Sequence, residues 1–156
     1  MESQDNKNIT AREYQKAEKT ALRLLARAEQ CIAGLSRKLE KRGFDEASIN
    51  AVISKLAEIN LLNDSRFARI WLRSRLRFTR SPRQLLSSLC ARGIGHDDAQ
   101  DAIKEVLDMD TELVLLARFA EKCKKKKKPV ETKSLKYLFK NEGFSLQAIQ
   151  FFLETD

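Results

Sequence analysis

Leu35-Ser36-Arg37-Lys38-Leu39-Glu40-Lys41-Arg42-Gly43-Phe44 returns fifty residues later as Leu85-Leu86-Ser87-Ser88-Leu89-Cys90-Ala91-Arg92-Gly93-Ile94. It returns again as Leu135-Lys136-Tyr137-Leu138-Phe139-Lys140-Asn141-Glu142-Gly143-Phe144. Each copy places two apolar residues four apart, a glycine four further on, and an apolar residue directly after it. The i, i+4 spacing marks one face of a helix. The glycine stands where a helix stops, because it alone enters the left-handed region without a Cβ penalty. The residue behind it (Phe44, Ile94 or Phe144) then folds back onto the helix end. Downstream, Ile49, Val52 and Ile53 match Ala99, Ala102 and Ile103, then Ile149, Phe152 and Leu153, with no insertion in any copy.

A lead helix precedes each copy. Thr10-x-x-Glu13 reads as a capping box that opens a helix running to about Glu29. Asn63-Asp64 caps a helix from Ser65 to about Phe78, and Ser81-Pro82-Arg83-Gln84 opens the next, with Ser at N-cap, Pro at N1 and Gln at N3. A third lead helix runs from Thr111 to about Lys125, Pro129 breaks it, and Ser145 caps the last helix. The sum is an all-α chain of three tandem three-helix repeats, residues 1–62, 63–108 and 109–156, in an extended arrangement able to curve. Each repeat is too small to bury much core alone and leans on its neighbours. Composition agrees: 42% of the 156 residues are apolar and 33% charged, with only 5 Gly and 2 Pro. That excludes collagen-like, low-complexity and wholly disordered chains.

No run approaches the 18 apolar residues of a membrane span. The polar, acidic start Met1-Glu2-Ser3-Gln4-Asp5 lacks the features of a secretory signal, so a cytoplasmic location is expected; a monomer is expected as well. Cys31, Cys90 and Cys123 form no CxxC pair, and the single histidine, His96, has no second ligand at metal spacing. His96 reads as a polar residue near a helix start, and Cys90 as a small core residue. No phosphate loop or hydrolase motif occurs, so neither metal nor cofactor is called for and the chain is not expected to be an enzyme.

The net charge of +8 is unevenly spread. Residues 65–96 hold eight arginines, no lysine and no acid, whereas residues 97–121 hold eight acids against two bases. Such asymmetry points to a polyanionic or acidic partner. On one helix, Arg66, Arg69, Arg73 and Arg77 fall inside an arc of about 80°. Phe67, Ile70, Trp71 and Phe78 form an adjacent stripe expected to face the core. Arginine throughout favours planar, bidentate contact with carboxylate or phosphate. No acid stands at i±3 or i±4 to neutralise the four, so they are expected to be free of internal carboxylate partners. The alternative is a solvated polar face whose stems shield apolar surface. Arg75, Arg80, Arg83 and Arg92 extend the basic block. The run of Lys122 and Lys124 to Lys128 reads either as a dipole-complementing helix end or as a loose linker touching phosphates, with Lys124 and Lys126 as candidate contacts.

Leu61-Leu62-Asn63-Asp64-Ser65-Arg66-Phe67-Ala68, followed by Arg73-Ser74-Arg75 and Pro82, is similar to the best-marked segment of the RecX family. So are Lys41-Arg42-Gly43-Phe44 and Ala91-Arg92-Gly93-Ile94. The resemblance covers roughly residues 15–153. RecX proteins are bacterial regulators of the recombinase RecA, built from three tandem three-helix repeats. The resemblance implies a non-enzymatic partner of RecA that binds along the groove of its single-stranded-DNA filament, hindering extension and damping strand exchange in DNA repair, recombination and the SOS response. Two departures stand out. Cys31 and Gly34 replace a Ser…Glu capping box and should weaken one helix start, while Thr79 and Ser81 replace glycines and should stiffen a loop. The competing class is a stand-alone helical nucleic-acid-binding module, since three-helix units also build helix-turn-helix readers. Against it, no helix shows Asn, Gln and Arg together at its N-terminal base-reading positions.

Overall fold

The computed structural model describes residues 2–126 and 131–155, with side chains from Thr10 onward. Nine helices and no strand are present among the described residues. They are α1 (Glu2–Arg27), α2 (Ile32–Lys41), α3 (Glu46–Glu58), α4 (Asp64–Arg75), α5 (Pro82–Ala91), α6 (His96–Val106), α7 (Met109–Lys126), α8 (Thr132–Asn141) and α9 (Leu146–Thr155). Their order is that of tandem three-helix repeats, as the fifty-residue period predicts.

The three glycines behave alike: Gly43, Gly93 and Gly143 have φ of 85°, 91° and 86°. Behind two of them the chain folds back, the Phe44 amide donating to the Leu39 carbonyl (3.4 Å) and the Phe144 amide to the Phe139 carbonyl (3.2 Å). Leu39, Leu89 and Phe139 are fully buried at equivalent positions. Truncating such a side chain to Ala typically costs about 2–5 kcal/mol, so one buried residue per repeat is a large share of domain stability.

The chain forms two compact units, Met1–Phe67 with Arg92–Ile94, and Ala68–Ala91 with Gly95–Asp156. In the first, α1, α2 and α3 pack on one another around Ala17, Ala21, Leu35, Leu39, Val52 and Leu56. In the second, α5 packs on α6, and α9 receives both α7 and α8. Phe139 makes edge contacts with Phe119, Phe144 and Phe152 at centroid distances of 6.4, 6.3 and 6.0 Å. Phenylalanine thus stands at Phe139 and Phe152 of the third repeat, where the first has Leu39 and Val52 and the second Leu89 and Ala102.

Several helix ends differ from expectation. Helix α1 opens at Glu2, so Thr10 is not its cap; residues 2–9 hold no Gly or Pro to stop the helix. Helix α7 opens at Met109, because the carboxylate of Asp108, rather than Thr111, accepts the free amide (Thr111 N to Asp108 Oδ1, 2.9 Å). Helix α4 ends at Arg75 rather than Phe78. The Phe78 amide tightens back to the Arg75 carbonyl (3.0 Å), and Arg118 of α7 takes the Leu76 carbonyl (2.9 Å) in place of a helical amide. Pro129 lies outside the described residues. The box at α5 forms reciprocally: Ser81 N donates to Gln84 Oε1 (3.0 Å) and Gln84 N to Ser81 Oγ (3.3 Å). Ser145 caps α9 through the Ala148 amide (3.1 Å). His96 is exposed at the start of α6, whereas Cys90 is only half-buried and Cys31 is buried.

Candidate nucleic-acid and partner interface

Helix α4 turns a narrower face inward than its aromatic residues suggest. Ala68 and Leu72 are its buried residues. Ile70 and Phe78 are exposed, and Phe67 and Trp71 half-buried, so the expected core stripe is displaced. A small residue at Ala68 lets the backbone approach its neighbours closely, which a bulkier residue there would prevent.

The arginines do not form one free row. Arg66 is internally engaged: its Nε donates to Glu29 Oε1 at 2.6 Å, its Nη1 to the Asn60 carbonyl at 2.9 Å and its Nη2 to the Leu61 carbonyl at 3.1 Å. Asn60, at φ 62°, is the left-handed residue just past α3, so Arg66 places a cation where that helix end is most negative. Arg69 Nη1 reaches Glu105 Oε2 of α6 at 3.4 Å. The expectation that both were free of carboxylates fails because their partners come from elsewhere in the chain, Glu29 from the α1–α2 connection and Glu105 from α6, not from i±3 or i±4. Arg77 also leaves the row, since α4 ends before it.

Other candidates are dispersed. Arg73 and Arg80 are exposed, as is Arg83 in the first turn of α5, and none of these three has a carboxylate partner among the described residues. Helix dipoles disfavour a cation at an N-terminal turn, so Arg83 has no local stabilising role there. The guanidinium of Arg75 lies 5.3 Å from the Trp71 ring centre and that of Arg77 4.9 Å from Phe78. The Arg92 carbonyl accepts from Cys31 Sγ (3.5 Å) and Arg37 Nη2 (3.2 Å), so this residue's backbone is structural. Lys124 faces Glu121 at 3.7 Å, and Lys126 is exposed. Lys127, Lys128 and Pro129 lie outside the described residues.

Sequence reasoning missed a groove lined by Thr79, Ala117, Arg118, Glu121, Lys122 and Lys125. The signal for it was the i, i+4, i+7 spacing of Arg118, Lys122 and Lys125, which puts three cations on one face of α7. No group of His, Cys, Asp or Glu among the described residues is placed to hold a metal ion, and no described helix is long and apolar enough to cross a membrane.

Comparison with known proteins places this arrangement. Residues 17–56 match the family model for the first three-helix domain of RecX, and residues 63–103 that for the second. A regulatory protein RecX of Treponema pallidum is 40% identical over 111 residues, covering 70% of this chain and 68% of that protein. A regulatory protein RecX of Caldanaerobacter subterraneus is 26% identical over 156 residues, covering 94% of this chain and 78% of its own. The fold is that of the crystal structure of RecX from Lactobacillus salivarius, with a TM-score of 0.71, 21% identity, and 93% and 97% of the two chains covered.

Proposed function

Because the chain belongs to the RecX family of regulatory proteins, we propose that it regulates a RecA recombinase without catalysing a reaction of its own. It binds the RecA–single-stranded-DNA filament and limits filament extension and strand exchange. The observation that supports this reading is the set of exposed arginines in the second unit left without carboxylate partners among the described residues: Arg73, Arg77, Arg80 and Arg83. Four bidentate cations of this kind suit a surface of phosphates and carboxylates. Arg75, Lys124 and Lys126 add to the same field; Arg66, Arg69 and Arg92 support it from within the fold. Contact is with filament phosphates and RecA carboxylates together, by a cytoplasmic monomer.

Phosphate release by RecA on single-stranded DNA tests it, with each component omitted in turn. Addition of this protein should slow hydrolysis and filament extension, and the protein alone should release no phosphate. Unchanged RecA hydrolysis, or hydrolysis by the protein alone that survives further purification, would sink the proposal. Tight binding to bare DNA with no effect on RecA would instead favour a stand-alone nucleic-acid-binding module.

A further inference from the structure

Phe78, in the turn after α4, is 41% exposed, and the fold gives it no core to enter. Cations gather on it instead: the Arg77 guanidinium lies 4.9 Å and that of Arg75 5.8 Å from its ring centre. The turn is held in place, since the Phe78 amide donates to the Arg75 carbonyl (3.0 Å) and Arg118 to the Leu76 carbonyl (2.9 Å). The next residue, Thr79, is already a wall of the groove that Arg118, Lys122 and Lys125 line. A fixed, exposed aromatic ring therefore adjoins a cationic groove.

We propose that Phe78 is a base-stacking residue: a single-stranded nucleic acid lays one unstacked base on its ring while Arg118, Lys122 and Lys125 hold the neighbouring phosphates. The inference deepens the function proposed above and rests on its nucleic-acid component. Aromatic platforms beside a positive groove are the usual means of holding single strands without sequence preference. Duplex bases are already stacked on one another and offer the ring no face. An acidic peptide would use the cations but gain nothing from the ring. The incoming base displaces Arg77, because stacking on an aromatic ring outweighs a solvent-exposed cation–π contact. The released guanidinium is then matched to the adjacent phosphate.

Fluorescence anisotropy of the full chain, without RecA, tests the assignment. The probes are labelled oligo(dT) and an abasic oligomer of equal length, compared at two salt concentrations. Wild type should bind oligo(dT) about tenfold more tightly than the abasic strand. Phe78→Ala and Phe78→Leu should bind both strands as wild type binds the abasic one, with an unchanged salt slope because the phosphate contacts remain. Phe78→Trp should keep the preference. Equal binding of both strands by wild type, no measurable binding of either, or a preference that survives Phe78→Leu overturns the proposal. Absence of the stacking preference in wild type, with RecA inhibition intact, discards only the role of Phe78; a wild-type preference that depends on Phe78 without any effect on RecA discards the regulatory reading instead.

Discussion

The Asp64 carboxylate accepts the Ile32 amide at 2.8 Å and so caps α2 from the first residue of α4. The local N-cap residue, Cys31, makes no side-chain cap bond. Its sulfur is turned inward, toward the Arg92 carbonyl. A helix start that reads as weak in the local sequence is thus completed by a residue 32 positions away. The cap also ties the second repeat's lead segment to the first repeat's middle helix.

Asp64→Ala should therefore destabilise the protein by about 1–2 kcal/mol, the usual loss for a capping acceptor that leaves a backbone amide unsatisfied. Asp64→Asn, which keeps an acceptor, should lose less. Urea denaturation followed by circular dichroism measures both. Equal stability of the Ala variant and wild type would show that water replaces the carboxylate without loss.

Glycine replacement separates backbone strain from packing. A Cβ on Gly43 would meet nothing within 4 Å, whereas one on Gly93 would lie 2.5 Å from the Ala33 Cβ. Both residues have positive φ. Gly43→Ala should cost about 1–2 kcal/mol from the left-handed backbone alone. Gly93→Ala should cost a further 1–3 kcal/mol, roughly, from overpacking. Matching melting temperatures for the two variants would contradict the close approach of Gly93 to α2.

Two cap carboxylates give acid lability a defined origin. Hydrogen bonding by Ser48, whose amide donates at 3.2 Å, holds the Asp45 carboxyl below the usual aspartate range; Thr111, whose amide donates at 2.9 Å, does the same for Asp108. A depressed folded pKa means that the stabilisation is complete above the unfolded value and is lost as pH falls through the folded one, hence below about pH 4. The double variant Asp45→Asn, Asp108→Asn retains both cap acceptors but cannot titrate. Its melting temperature should fall less steeply between pH 5 and 3 than that of wild type. Parallel curves would place the acid sensitivity elsewhere.

The repeat was legible because its code is local. A glycine at positive φ behind an i, i+4 apolar pair says where a helix ends, whatever surrounds it. The arginine face was legible only in part because its neutralising partners are tertiary. Glu29 and Glu105 lie 37 and 36 positions from Arg66 and Arg69, and no helical spacing announces them. The inner face of α4 was misjudged for a related reason. Hydrophobicity ranks Ile70 and Phe78 above Ala68, but close packing selects for shape, and Ala68 is the residue that is fully buried.

The division between engaged and free arginines leads to the last prediction. Arg66→Glu would set a carboxylate beside Glu29 and release the Asn60 and Leu61 carbonyls. Both changes act on the fold. Leaving such groups unpaired costs about 1–3 kcal/mol, so this variant should melt well below wild type at any salt concentration. Arg73→Glu lies on the same helix but breaks no described contact, and an exposed substitution of this kind usually shifts stability by within about 0.5 kcal/mol. If the free arginines meet the filament, Arg73→Glu should keep its melting temperature yet inhibit RecA less. The lost contact is worth about 1.5–3 kcal/mol, and a repulsive charge also slows encounter. That deficit should shrink as salt rises, because ions screen exposed charges beyond about 10 Å at 0.1 M. Phosphate-release assays at two salt concentrations, run beside thermal melts of both variants, separate the cases. Full inhibition by a stably folded Arg73→Glu at low salt would show that this arginine is merely solvated, and would shift the search to Arg118, Lys122 and Lys125 of α7.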